Sequence, residues 1–136
     1  MELTVALRGL LIDLDGTLAD SLPAMRRAYD AFLAEHDRQG SEEEFERLNG
    51  PSLTEIVSLL AEVHRLEAPT DELLGQYRAL IARHYAEAVV PREGTDALLD
   101  LAAEAGLRLA LVTSAGSRLA RGFLERHRLA CLLYTS

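Results

Sequence analysis

Apolar residues are spaced in two different ways along this chain of 136 residues. Leu10-Leu11-Ile12 is a short continuous apolar run that ends in Asp13-Leu14-Asp15-Gly16-Thr17-Leu18. Such a run predicts a strand buried on both faces, and Gly16 permits a sharp turn after it. No further strand pattern follows at once; four helical patterns come instead. The first starts at an Asp20 or Ser21 cap, tolerates Pro23 in its first turn, and sets Leu22, Met25, Tyr29, Phe32 and Leu33 at helical spacing. Ser41 with Glu44 reads as a capping box for a second helix that ends near Asn49-Gly50. Ser52 with Glu55 reads as another box, opening a helix with an apolar stripe of Leu53, Ile56, Val57, Leu60 and Val63. Pro69-Thr70 stops one element and caps the next, which carries Leu73, Leu74, Tyr77, Leu80, Ile81 and Tyr85.

From about Val89 strand and helix alternate again. Thr95 to Ala105 predicts a helix with Leu98, Leu99 and Leu101 inward, and Gly106 sits where a helix-ending glycine belongs. Leu107 to Val112 predicts a second buried strand, Thr113-Ser114-Ala115-Gly116 a loop, and Ser117 to His127 a last helix. Strand, helical insertion, helix, strand, helix is the order of an interrupted α/β sheet. The expected organisation is an α/β core of residues 1–19 and 87–136 and a helical unit of residues 20–86 inserted after the first strand.

Composition narrows the partners. A net charge of −8 and a pI near 4.9 argue against nucleic acid, because a polyanion needs a basic footprint. All fourteen basic residues are arginine. Cys131 is the only cysteine and has no internal disulfide partner, which fits a reducing compartment, with cytoplasm as the expectation. No run approaches the ~20 apolar residues of a membrane span, and the N-terminus lacks the pattern of a signal peptide.

Asp13 and Asp15 are the candidate chemistry. Two apart in an extended chain, they fall on one side of a strand end, where open α/β sheets bind ligands. One carboxylate can then attack or hold a metal while the other moves a proton. Asp-Gly alone is an ordinary turn former. The full string Asp-x-Asp-Gly-Thr-Leu, however, arises by chance in a chain this long only about once in ten thousand sequences at average residue usage, which favours a functional reading. Thr113 and Ser114 follow the second strand and precede a helix, so their hydroxyls and backbone N–H groups can face the same crevice and bind phosphate, although small polar residues also serve as plain caps.

Asp13 to Ser21 closely resembles motif one of the haloacid dehalogenase-like hydrolases, and Leu109-Ala110-Leu111-Val112-Thr113-Ser114 resembles their motif two. Gly94 to Leu99 and Gly106 sit where that family's preceding helix would lie, so the resemblance runs from about residue 7 to residue 129. It implies a Rossmann-like core with a helical cap after the first strand, as in the phosphoglycolate phosphatase and β-phosphoglucomutase branch. It also implies a Mg²⁺-dependent phosphatase acting on a small phosphorylated metabolite. Asp13 would be the nucleophile that forms an aspartyl phosphate and Asp15 the acid and base. The Asp13 carboxylate and Asp15 backbone carbonyl would hold Mg²⁺, the Thr113 hydroxyl and Ser114 N–H the phosphate, and Gly16 and Thr17 would offer backbone donors to it. Arg47, Asn49 and Gly50, with Ser52, lie where related enzymes keep a substrate-reading loop; a capped surface turn is the equal alternative.

The chain also departs from the family pattern. The family's third motif supplies a basic residue, usually lysine, and its fourth supplies further acids; this chain has no lysine and reaches Ser136 soon after motif two. An incomplete chain, inactive by itself, is therefore expected, with Cys131 to Ser136 either native or foreign. A phosphomutase of the β-phosphoglucomutase type and a non-catalytic fragment remain as alternatives. The four histidines, His36, His64, His84 and His127, show no ligand spacing, and Ser41-Glu42-Glu43-Glu44 reads as a helix start.

Overall fold

The computed structural model describes residues 6–130 and the backbone of residues 134–135. The expectations about Cys131 and the other terminal residues therefore lie largely outside the described residues. In chain order the elements are β1 (Gly9–Ile12), β2 (Ala19–Asp20), α1 (Leu22–Glu35), α2 (Glu42–Arg47), α3 (Leu53–His64), α4 (Thr70–Ala88), β3 (Val90–Pro91), α5 (Thr95–Glu104), β4 (Arg108–Leu111), α6 (Ser117–Arg126) and β5 (Tyr134–Thr135). They form two compact units, one of Met1–Leu22 with Val89–Ser136 and one of Pro23–Ala88.

In the first unit β1, β4 and β5 make a parallel sheet in the order β1-β4-β5. Leu10 pairs with Leu109 and Ile12 with Leu111, and on this face Ile12, Leu109 and Leu111 are buried. Leu11 pairs with Ala110 on the opposite face and is 80% exposed. The expectation that β1 is buried on both faces is thus corrected: an apolar run states what a strand tolerates, whereas a covering layer must come from elsewhere, and the described residues leave that face open. α5 corrects a second expectation. Its buried positions are Thr95, Leu99 and Ala102, while Leu98 and Leu101 stay exposed, Leu101 by 64%. Gly106 ends the element at φ 70°, as its position after the last apolar residue predicts.

The two-residue strands β2 and β3 pair antiparallel, Ala19 with Pro91 and Asp20 with Val90. This ribbon has no signal in the spacing of apolar residues, since each strand is too short to show a period and its partner lies far along the chain.

In the second unit Ala28, Tyr29, Phe32, Leu33, Leu48, Val57, Leu60, Leu73, Tyr77 and Leu80 form one core. Phe32 packs on Tyr77 at 5.0 Å and Tyr29 on Phe45 at 5.4 Å between ring centroids. Leu22 and Val63, placed on apolar stripes by spacing, are exposed. The Ser52–Glu55 box forms in both directions: the Ser52 N–H donates to Glu55 Oε2 at 2.7 Å and the Glu55 N–H to Ser52 Oγ at 3.3 Å. The Ser41–Glu44 box forms in one direction only. The Glu44 N–H donates to Ser41 Oγ at 3.1 Å, but the Glu44 carboxylate accepts from the Tyr29 hydroxyl and meets His64 Nε2 at 2.9 Å. A buried phenol lacking that acceptor would lose a hydrogen bond, which outweighs a surface cap.

Candidate active site

Parallel pairing brings the two sequence motifs to one edge of the sheet. β1 and β4 run side by side in register, and the Val112 N–H donates to the Ile12 carbonyl at 2.8 Å, so Asp13 and Thr113 leave the sheet at adjacent carboxyl ends. That edge is where ligands bind in open α/β sheets. Asp13 is exposed, Asp15 half-buried, Thr113 half-buried and Ser114 exposed. The Leu14 N–H donates to Asp13 Oδ1 at 2.9 Å and so limits how the carboxylate turns.

A tight turn follows Asp13. The Leu14 carbonyl accepts from the N–H groups of Thr17, Leu18 and Ala19 at 3.1, 3.0 and 2.9 Å, and the Gly16 N–H donates to the Ala19 carbonyl at 2.9 Å. Gly16 takes φ 77°, a left-handed conformation that costs a side-chain-bearing residue but not glycine. The Gly16 and Thr17 N–H groups, expected as phosphate donors, are both engaged inside the turn, which these two residues shape.

Thr113 makes a local turn of its own, its Oγ1 accepting from the Ala115 N–H at 3.0 Å. The Ala115 donor is therefore taken, while the Thr113 hydroxyl proton stays available to an oxyanion. α6 begins at Gly116 with no side-chain cap, which leaves its first N–H groups unfilled by side chains.

Two contributors went unread in the sequence. Arg92, just past β3, donates from Nη1 to the Gly16 carbonyl at 3.0 Å and from its backbone N–H to the Leu18 carbonyl at 2.8 Å. The buried Thr95 hydroxyl donates to the same Leu18 carbonyl at 3.0 Å. Neither residue stands near the turn in sequence, so no local pattern marks it.

Arg47, Asn49 and Gly50 lie in the second unit. Arg47 closes α2, all three are exposed, and Gly50 takes φ 124° in the connection to α3. The histidines are dispersed among other duties: His36 Nε2 meets Gln76 Oε1 at 2.9 Å and His127 Nε2 meets the Val89 carbonyl at 3.1 Å. Among the described residues no group of three or more His, Cys, Asp or Glu side chains is placed to hold a metal ion, and no helix is long and apolar enough to cross a membrane.

Known proteins resemble this chain over most of its length. The chain is 31% identical over 138 aligned positions to hexitol phosphatase A of Escherichia coli (strain K12), a match covering 92% of this chain and 55% of that protein. It is 33% identical over 94 positions to 6-phosphogluconate phosphatase of the same organism, covering 68% of this chain and 42% of that one. The crystal structure of CbbY from Rhodobacter sphaeroides in complex with phosphate superposes with a TM-score of 0.77 at 22% identity over 96% of this chain and 62% of its own, which shows a shared fold. The chain thus spans about half the length of the curated relatives it matches. Residues 10–134 match the family described as haloacid dehalogenase-like hydrolase, and with the paired aspartates at the end of β1 and Thr113 at the end of β4 the chain belongs to that family.

Proposed function

We propose that this chain carries the aspartate pair of a Mg²⁺-dependent phosphatase for small phosphorylated polyols or sugar acids. The observation that supports the reading is the in-register pairing of β1 with β4, whose carboxyl ends lead into Asp13–Asp15 and Thr113–Ser114. The substrate class follows the names of the relatives, a hexitol phosphatase and a 6-phosphogluconate phosphatase.

Asp13 attacks phosphorus through a carboxylate oxygen as the bond to the leaving alcohol breaks, and Asp15 gives its proton to that alcohol. Asp15 then takes a proton from water, which attacks the phosphorus of the aspartyl phosphate, releasing inorganic phosphate and restoring Asp13. The Thr113 hydroxyl and the Ser114 N–H hold the phosphoryl oxygens, as preorganised donors in an anion site do. The Asp13 carboxylate and the Asp15 backbone carbonyl suit Mg²⁺ in kind, being hard oxygen donors, and are few, as befits an ion that keeps waters and substrate phosphate in its shell. When bound, the ion offsets the negative charge of the phosphoryl group and of Asp13. The unit of Pro23–Ala88 is assigned the role of cap, with Arg47, Asn49 and Gly50 reading the substrate. A reducing cytoplasm suits its single cysteine.

The test is a chimaera in which this chain replaces the matched part of hexitol phosphatase A, assayed for Mg²⁺-dependent phosphate release from hexitol phosphates and 6-phosphogluconate. Release that depends on Asp13 supports the reading. A folded chimaera without release overturns it.

A further inference from the structure

We propose that Arg92 is a positioning residue for the aspartate turn, holding its outer edge through the Gly16 carbonyl. The proposal rests on the phosphatase reading for its consequence but on the turn's hydrogen bonds for its substance. Leu14 and Ala19 fasten the turn from inside, by three N–H donors on the Leu14 carbonyl and one on the Ala19 carbonyl. The Gly16 and Leu18 carbonyls point outward and find their partners in the segment that resumes the first unit after β3. Arg92 supplies two of those donors, its guanidinium to Gly16 at 3.0 Å and its backbone N–H to Leu18 at 2.8 Å, and the Thr95 hydroxyl adds a third at 3.0 Å.

The two Arg92 bonds differ in kind. The backbone bond to Leu18 survives any substitution except proline, and with Thr95 it fixes the base of the turn. The guanidinium bond holds the carbonyl of Gly16, the residue that follows Asp15 and the one with left-handed φ, whose N–H is held by Ala19. A charged donor to a carbonyl is stronger than a neutral one, and arginine's planar head keeps its geometry at little entropic cost. Gly16 has nothing within 4 Å of where its side chain would be, so no packing replaces that bond. Removing it frees the Gly16–Thr17 peptide to rotate, which loosens the turn directly after Asp15 and with it the hold on the direction of the Asp15 side chain.

The experiment compares R92M and R92K with the unaltered chain by amide hydrogen exchange. R92M is expected to raise exchange roughly tenfold or more at Gly16, Thr17, Leu18 and Ala19, the loss expected for one hydrogen bond to a charged group, with protection in β4 and α5 unchanged. R92K, which still presents a cationic donor, is expected to keep most of the protection. Unchanged exchange at residues 16–19 in R92M, or equal loosening of β4 and α5, overturns the proposal. In the chimaera R92M is expected to lower kcat roughly tenfold at unchanged KM, because the turn that follows Asp15 is loosened while substrate binding is not. A silent unaltered chimaera refutes the phosphatase reading, while the exchange data still decide the role of Arg92.

Discussion

The Val112 amide and the Ile12 carbonyl meet at 2.8 Å, one step beyond the last paired residues of β1 and β4. This bond keeps the strands in step up to the point where Asp13 and Thr113 begin. Two motifs a hundred residues apart in the chain thereby share one sheet edge through the register of a parallel pair.

Asp13→Asn is expected to abolish phosphate release in the chimaera while leaving its unfolding midpoint nearly unchanged. Asparagine keeps the shape and can still accept from the Leu14 N–H, but it is no nucleophile. Residual turnover above about a hundredth, a barrier change below ~2.7 kcal/mol, would exclude a covalent role for Asp13.

Thr113→Val should weaken phosphate recognition more than folding. Valine keeps the β-branched shape but deletes the hydroxyl, and an interaction of about 1–3 kcal/mol is lost from the bound state. The Ala115 N–H, which Thr113 Oγ1 accepts at 3.0 Å, is part-exposed and can turn to water, so the cost to the fold is small. Inorganic phosphate affinity by titration calorimetry checks this, and equal affinities would make Thr113 a spectator.

Gly40→Ala should destabilise the second unit by about 1–3 kcal/mol, the usual range for overpacking. A Cβ at Gly40 would stand 1.8 Å from the hydroxyl of Tyr29, and that ring is wholly buried. The ring cannot yield cheaply, because the Tyr29 hydroxyl accepts from the Ser41 N–H at 3.0 Å and donates to Glu44. Urea unfolding gives the measurement; an unchanged midpoint would mean that the 36–41 connection moves freely.

Stability should fall at alkaline pH. Burial, reinforced by the Glu44 carboxylate, raises the Tyr29 phenol above its ordinary value, and burial pushes Tyr77 up to about 12. The unfolded chain ionises its tyrosines near pH 10, so it binds fewer protons than the folded chain above that point. The stabilisation is complete below about pH 10 and is lost as pH rises from there through about 12. Urea midpoints across this window, with Tyr29→Phe as the comparison, provide the check: a slope identical in the variant would remove Tyr29 from the account.

Local chemistry let the sequence by itself determine much of this protein. The Ser52–Glu55 box, the left-handed Gly106 stop and the helices over Leu22–Glu35, Leu53–His64 and Thr95–Glu104 all follow from interactions spanning a few residues, and each was readable there. So was the Asp13–Asp15 string, because its spacing and its turn glycine are neighbours in the chain. Only the tertiary structure decided which apolar residues find cover. Leu11, Leu98 and Leu101 have the period of buried positions yet remain exposed, since periodicity assigns residues to a face but supplies nothing to lie against it. The same holds for polar partners. Glu44 leaves its cap for Tyr29 and His64, the β2–β3 ribbon closes between residues some seventy positions apart, and Arg92 reaches Gly16 across a similar separation. Such bonds depend on where the folded chain returns, and no pattern near either residue encodes that.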